Sequence, residues 1–253
     1  MAKTITSVQH PLVKHLVRLR QNHDYREEHH SVLVEGSKLI GEVCPYHPTK
    51  MVISYSLESI PIGVKADEIV LVNESVMRKI SGVMSPEGII AEVTKPASAS
   101  LKDKKRILAC DGVSDPGNMG TLMRTALGLG WDGFFILESS CDPFNDKALR
   151  ASKGATFRIP IAFGSWNDLE QLAKENLLTC LVADMEGKPL DTCEKAKNIL
   201  LVLSNEARGA SAEALKLCQP ITIPMPGAME SLNVAVAGGI MMYHLRHGGE
   251  GKR

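Results

Sequence analysis

Three stretches of this 253-residue chain gather the side chains that orient a hydroxyl, grip a phosphate or cradle a nucleoside. The first is Asp111-Gly-Val-Ser-Asp-Pro-Gly-Asn-Met-Gly120, which runs into a helical stretch carrying Arg124. The second is Leu203-Ser-Asn-Glu-Ala-Arg-Gly-Ala-Ser211. The third is Ile223-Pro-Met-Pro-Gly-Ala-Met-Glu-Ser-Leu-Asn-Val234. Each follows an apolar run that reads as a strand, and open α/β sheets bind ligands at the carboxyl ends of their strands. Taken singly, each also has a plain structural reading: Asn118 as a helix cap, Glu206 in an ordinary turn, Ser231 as an N-cap. A literal G-x-G-x-x-G, Gly128-Leu-Gly130-Trp-Asp-Gly133, lies after a helix and before a strand. That is the reverse of the dinucleotide order, so these glycines are expected to end the helix and turn the chain. No G-x-x-x-x-G-K-[ST] phosphate loop occurs.

The elements that position these loops follow from periodicity. Runs at 106–110, 133–137, 159–162, 178–183, 199–203 and 219–223 read as strands. Helical stretches fall between them, near 119–130, 145–152, 166–176, 211–218 and 231–246. This alternation predicts an α/β domain with a mostly parallel sheet covered on both faces. Upstream, Leu12, Leu16 and Leu19 recur at i, i+4 and i+7 behind Pro11, which predicts a helix over 11–21 with Lys14 and Arg18 on its other face. Strands are expected at 31–34, 50–54, 69–72 and 88–93, with helices at 37–43 and 74–80. Thr94-Lys-Pro-Ala-Ser-Ala-Ser100 followed by Lys102-Asp-Lys-Lys-Arg106 reads as a linker. The expected division is therefore residues 1–97, a linker over 98–106, and 107–253.

Composition bounds the function. Aromatic residues are 4%, which argues against a stacking platform for single strands. The 29 basic and 29 acidic residues cancel, so bulk charge marks no polyanion partner. Residues 1–106 carry 15 Lys and Arg against 12 Asp and Glu, a net of +3, and residues 107–253 carry 14 against 17, a net of −3. Any polyanion would then meet the N-terminal half first. The six cysteines show no C-x-x-C and no histidine at ligand spacing, so no metal site is read. With no apolar leader and no run near the roughly 20 residues of a membrane span, a cytoplasmic location with reduced thiols is the expectation.

Together the three loops resemble the signature motifs of the SpoU (TrmH-type) family of RNA ribose 2'-O-methyltransferases, in the SPOUT superfamily. The matching residues are Asn118-x-Gly120-x-x-x-Arg124, then Asn205-Glu206-x-x-Gly209, then Ile223-Pro-Met225 with Ser231-Leu-Asn-Val-Ala-Val-Ala237. Lys147-x-x-Arg150-x-Ser152-x-Gly154-Ala155 is similar as well. The resemblance covers the whole second domain. More weakly, Arg26 and Leu33-Val-Glu-Gly36 resemble the family's small RNA-recruiting domain, similar in fold to the ribosomal L30e protein. One residue departs from the pattern: Ser204 stands where the second motif usually has glycine, which would make a left-handed backbone harder to reach.

The resemblance implies a deep trefoil knot in the C-terminal domain, S-adenosylmethionine as cofactor, and a homodimer through the knotted domain. It places Leu203, Ser204, Gly209, Ile223, Met225 and Leu232 around the cofactor, and Asn118, Arg124, Glu206, Ser231 and Asn233 around the reaction. A guanidinium stays protonated in proteins, so Arg124 is expected to clamp the substrate phosphate and stabilise a developing alkoxide, not to act as a base. Asn118 would hold its loop or the ribose, Ser231 and Asn233 would bond the ribose, and Glu206 would anchor its loop. Lys14, Arg18, Arg20, Arg26 and Arg150 are candidate RNA contacts. The two-domain layout favours rRNA of the 23S type over tRNA. The alternatives are a catalytically inactive RNA-binding or assembly factor, and a base methyltransferase of the same superfamily.

Overall fold

The computed structural model describes residues 2–193, 196–205, 209–225, 227 and 231–246. Glu206 lies outside them. The chain divides into two compact units, one of residues 1–97 with 144–154, the other of 98–143 with 155–253. Residues 144–154 thus pack with the first unit, although the sequence division places them in the second.

Unit 1 contains β1 (Lys3–Ile5), α1 (Pro11–Gln21), α2 (His23–His29), β2 (Ser31–Glu35), α3 (Ser37–Val43), β3 (Thr49–Ser54), β4 (Glu68–Val72), α4 (Glu74–Ser81) and β5 (Ile89–Thr94). Its sheet runs β1-β4-β3-β5-β2. β4 is parallel to β1 and β3, whereas β5 is antiparallel to β3 and β2. Helix α1 buries Val13, Leu16 and Leu19, one face at helical spacing, against Met77 and Ile80 of α4 and Ile53 of β3. Helix α2 carries no apolar stripe and forms because Asn22 caps it, its Oδ1 accepting from the Tyr25 N–H at 2.8 Å, with His30 in the left-handed conformation at its end.

The remaining elements are β6 (Arg106–Asp111), α5 (Pro116–Gly128), β7 (Gly133–Leu137), α6 (Asp146–Ser152), β8 (Ile161–Gly164), α7 (Trp166–Glu175), β9 (Thr179–Pro189), β10 (Ile199–Ser204), α8 (Ala212–Leu217), β11 (Gln219–Thr222) and α9 (Val234–Leu245). All but α6, which packs in unit 1, build unit 2. Its sheet is parallel throughout, in the order β11-β9-β10-β6-β7-β8. Strand residues alternate between two apolar layers. Leu108, Phe134, Leu201 and Leu203 face α5 and α9, and Ile107, Phe135, Leu200 and Val202 face α7 and α8. A sheet buried on both faces explains why its strands read as unbroken apolar runs.

The strand order reverses at β6. The chain moves outward through β7 and β8, then returns to place β10 on the other side of β6. Register pairs Leu203 with Cys110 and Ser204 with Asp111, so the loops leaving β6 and β10 start side by side at a topological switch point. The glycine-rich run at 128–133 ends α5, with Gly130 at φ +74° turning the chain into β7.

Candidate functional site

Two asparagines fix the first and third loops to each other. Pro116 opens α5 and Asp115 caps it, its Oδ1 accepting from the Asn118 N–H at 2.9 Å. The Asn118 side chain is thereby left for other work. Helix α9 is capped by Asn233, not by Ser231: Asn233 Oδ1 accepts from the N–H groups of Ala235 at 2.9 Å and Val236 at 3.3 Å. Its Nδ2 donates to Asn118 Oδ1 at 3.1 Å. One side chain thus starts the last helix and holds a residue on α5.

The second loop is tied to the first. Asn205 Nδ2 donates to the Gly112 carbonyl at 3.0 Å, and Ser204 Oγ reaches Asp111 Oδ2 at 3.5 Å. The Ser139 hydroxyl donates to the other oxygen of Asp111 at 3.1 Å. Ser204 is the last residue of β10, and its φ is not positive. The left-handed conformation falls instead on Gly209 (φ +69°), whose N–H donates to the Asn205 carbonyl at 3.0 Å. The serine in the usual glycine position therefore needs no strained backbone. At the foot of the first loop, burial above all, with Cys141 and Asp111 nearby, pushes the Cys110 thiol well up. It is a neutral thiol, not a nucleophile.

Between the second and third loops lies a cavity of about 570 Å³. All six residues assigned to the cofactor, Leu203, Ser204, Gly209, Ile223, Met225 and Leu232, line it, and so does Ser231. Val234, Ala237 and Met241 of α9 complete its apolar side. This volume and this balance of apolar wall with a few polar groups suit a nucleoside-sized ligand. Sequence reasoning missed Asp184 and Glu186, which also line the cavity. They lie on the far part of β9, where the run Asp184-Met-Glu-Gly-Lys-Pro189 reads as the turn after a strand ending at 183. The strand continues because β11 pairs with it on both sides of a register shift, with Ile221 opposite Lys188. Gly187 permits that pairing, since a Cβ there would lie 2.4 Å from the Ile221 backbone nitrogen.

Asn118, Asn233 and Arg124 lie outside the cavity lining. Arg124 is exposed on α5, and among the described residues no hydrogen bond or ion pair engages it. The described residues contain no group of three or more His, Cys, Asp or Glu that would hold a metal ion. They also contain no helix long and apolar enough to cross a membrane.

Of the proposed RNA contacts in unit 1, Arg26 is corrected. It is 2% exposed and donates Nη1 to the carbonyls of Leu19 at 2.7 Å and Arg20 at 3.0 Å, satisfying the last turn of α1. Arg20 is largely buried, with Nη1 3.8 Å from Asp146. Arg18 lies over the Tyr25 ring at 4.0 Å, and Arg150 donates to Asp146 at 3.0 Å. Lys14 is exposed. Beside α1, Glu92 is buried, which alone would raise its carboxyl; hydrogen bonds from His15 and Ser31 and the charges of His15 and Lys50 outweigh this and hold it below the ordinary value.

Comparison with known proteins finds similar families and relatives over most of the chain. A family model described as the SpoU rRNA Methylase family matches residues 105–243, and one described as the MRM3-like substrate binding domain matches residues 10–91. The chain is 29% identical to a 23S rRNA (guanosine(2553)-2'-O)-methyltransferase of Bacillus subtilis, over 96% of this chain and 99% of that protein. It is 30% identical to an uncharacterized tRNA/rRNA methyltransferase of Synechocystis, over 96% of this chain and 93% of that one. Among solved structures it is similar to an AdoMet-bound rRNA methyltransferase from Sinorhizobium meliloti, with a TM-score of 0.88, 27% identity and 99% of each chain covered.

Proposed function

The chain belongs to the SpoU rRNA methylase family, and from that premise we propose that it methylates a ribose 2'-oxygen in ribosomal RNA with S-adenosylmethionine. The observation that carries this reading is the cavity between the second and third loops, lined by every residue that the motifs assign to the cofactor. When bound, S-adenosylmethionine supplies an electrophilic methyl group on a sulfonium. The chain's own residues do the rest. Ile223, Met225 and Leu232 give the adenine an apolar slot, and backbone groups of Ser204 and Gly209 orient it. Ser231, at the cavity wall, and the bonded pair Asn118–Asn233 hold the target ribose. Arg124 pairs with the neighbouring phosphate and stabilises charge that grows on the 2'-oxygen, which requires an arginine not already committed to a carboxylate.

The proposal extends to a homodimer. Val236, Ile240 and Tyr243 of α9 are exposed at i, i+4 and i+7, an apolar stripe that a second copy of the chain would cover. It also includes the knotted passage of the C-terminal segment: β11 pairs with β9 instead of β10, and the chain then returns to pack α9 on α5 and β10. Unit 1 is assigned the recruitment of RNA, with Lys14 and Arg18 as its phosphate contacts. All six cysteines are unpaired, which suits a cytoplasmic enzyme.

Incubation with S-adenosylmethionine labelled in its methyl group, and with RNA from cells lacking the protein, tests the reading. Label is expected in the large ribosomal RNA and not in tRNA. Binding of RNA without any transfer would favour an inactive assembly factor, and transfer to tRNA alone would overturn the assignment of substrate.

A further inference from the structure

The charged side chains among the described residues lining the cavity are two carboxylates, Asp184 and Glu186, and no cation. Asp184 is half-buried on β9. One of its oxygens accepts from the Glu186 N–H at 2.9 Å. The other lies 3.9 Å from where a Cβ on Gly209 would stand, facing the second loop, and among the described residues it has no hydrogen-bond partner. The rest of the wall is largely apolar, which lowers the local dielectric and lets charge act across the whole space. A cavity of this volume is roughly 10 Å across, so any charged group inside it feels Asp184.

We propose that Asp184, assisted by Glu186, makes this cavity select cationic ligands and so favour S-adenosylmethionine over the thioether left after methyl transfer. The inference rests on the cofactor reading above. When the methyl leaves, the electron pair of the broken C–S bond stays on sulfur, and the bound molecule passes from a net charge of +1 to zero. An anionic wall attracts the first and is indifferent to the second. The site thereby releases its product and resists inhibition by it without any change of shape.

Calorimetry on the full chain tests this with three ligands: S-adenosylmethionine, sinefungin, in which an amine-bearing carbon replaces the sulfonium, and neutral S-adenosylhomocysteine. The wild-type protein should bind the two cationic ligands about tenfold more tightly than the neutral one, the size expected for one charge acting over that distance. The ratio should narrow as salt rises. Asp184→Asn should remove most of the preference and leave S-adenosylhomocysteine within about twofold of wild type, and Glu186→Gln, at a more exposed position, should remove less. Equal weakening of all three ligands by Asp184→Asn would make it an ordinary contact and overturn the proposal. So would a wild-type ratio near unity at low salt, a measurement that depends on no variant. Binding of none of the three by the wild-type protein would sink the cofactor reading itself, a different and recognisable result.

Discussion

The two units commit their polar side chains in opposite ways. In unit 1, basic groups are largely engaged within the fold: Arg26 in the carbonyls ending α1, Arg150 with Asp146, Lys95 with Glu27, and His15 with Glu92. In unit 2, polar residues from three loops converge at one end of a parallel sheet, and Arg124 stays uncommitted among the described residues. The difference is one of context. A basic residue on a helix has many structural uses, whereas a polar loop at a strand's carboxyl end, beside a topological switch point, has few.

The largest test of that contrast is Arg124→Ala. It should lower kcat by about a thousandfold, the scale of losing a group that stabilises a developing oxyanion, while the cofactor Kd and the Tm stay near wild type. A loss of stability instead would put Arg124 in the same class as the engaged arginines of unit 1. Arg26→Ala should do the reverse, lowering stability by about 3 kcal/mol through the loss of two charge-assisted bonds to buried carbonyls. Weakened RNA binding by a variant of unchanged denaturation midpoint would restore Arg26 as an RNA contact.

Smaller effects sharpen the picture of the cavity wall. Gly187→Ala should cost about 2 kcal/mol, because the new methyl group meets the Ile221 backbone and forces β9 and β11 apart. Since both strands line the cavity, cofactor affinity should fall with it; a fully stable variant with unchanged affinity would show that the strands part without consequence. Ser204→Gly should change least, by less than about 1 kcal/mol and with cofactor affinity nearly unchanged, because the native backbone there is extended. A marked gain in affinity would mean that the serine side chain obstructs the ligand.

The parallel sheet and its loops were legible because buried strands are continuous apolar runs and the three motifs are constrained at the backbone. Helix starts were read less well. α5 begins at Pro116, before the expected 119, because Asp115 caps it, and α9 begins at Val234, after the expected 231, because Asn233 does. Helix α2 left no hydrophobic period to find, since His-Asp-Tyr-Arg-Glu-Glu-His is held by its caps and by the Arg26 side chain beneath it. The extension of β9 was hidden by Gly187 and Pro189, which read as a turn; a strand interior that admits only glycine reflects its neighbour β11, and no local pattern records that neighbour. The membership of α6 in unit 1 is likewise a tertiary fact: Leu149 lines a small cavity there with Leu33, Leu39 and Ile90, residues far away in sequence.

The central claim is that unit 2 places a methyl group on ribose and not on a base. Alkaline cleavage of RNA uses the 2'-hydroxyl as its nucleophile, so a 2'-O-methyl group blocks cleavage at that one linkage. Ribosomal RNA that has taken up labelled methyl from this enzyme should give an alkaline ladder with one rung missing, 3' of the modified nucleotide. A complete ladder from equally labelled RNA would place the methyl on a base and contradict the account.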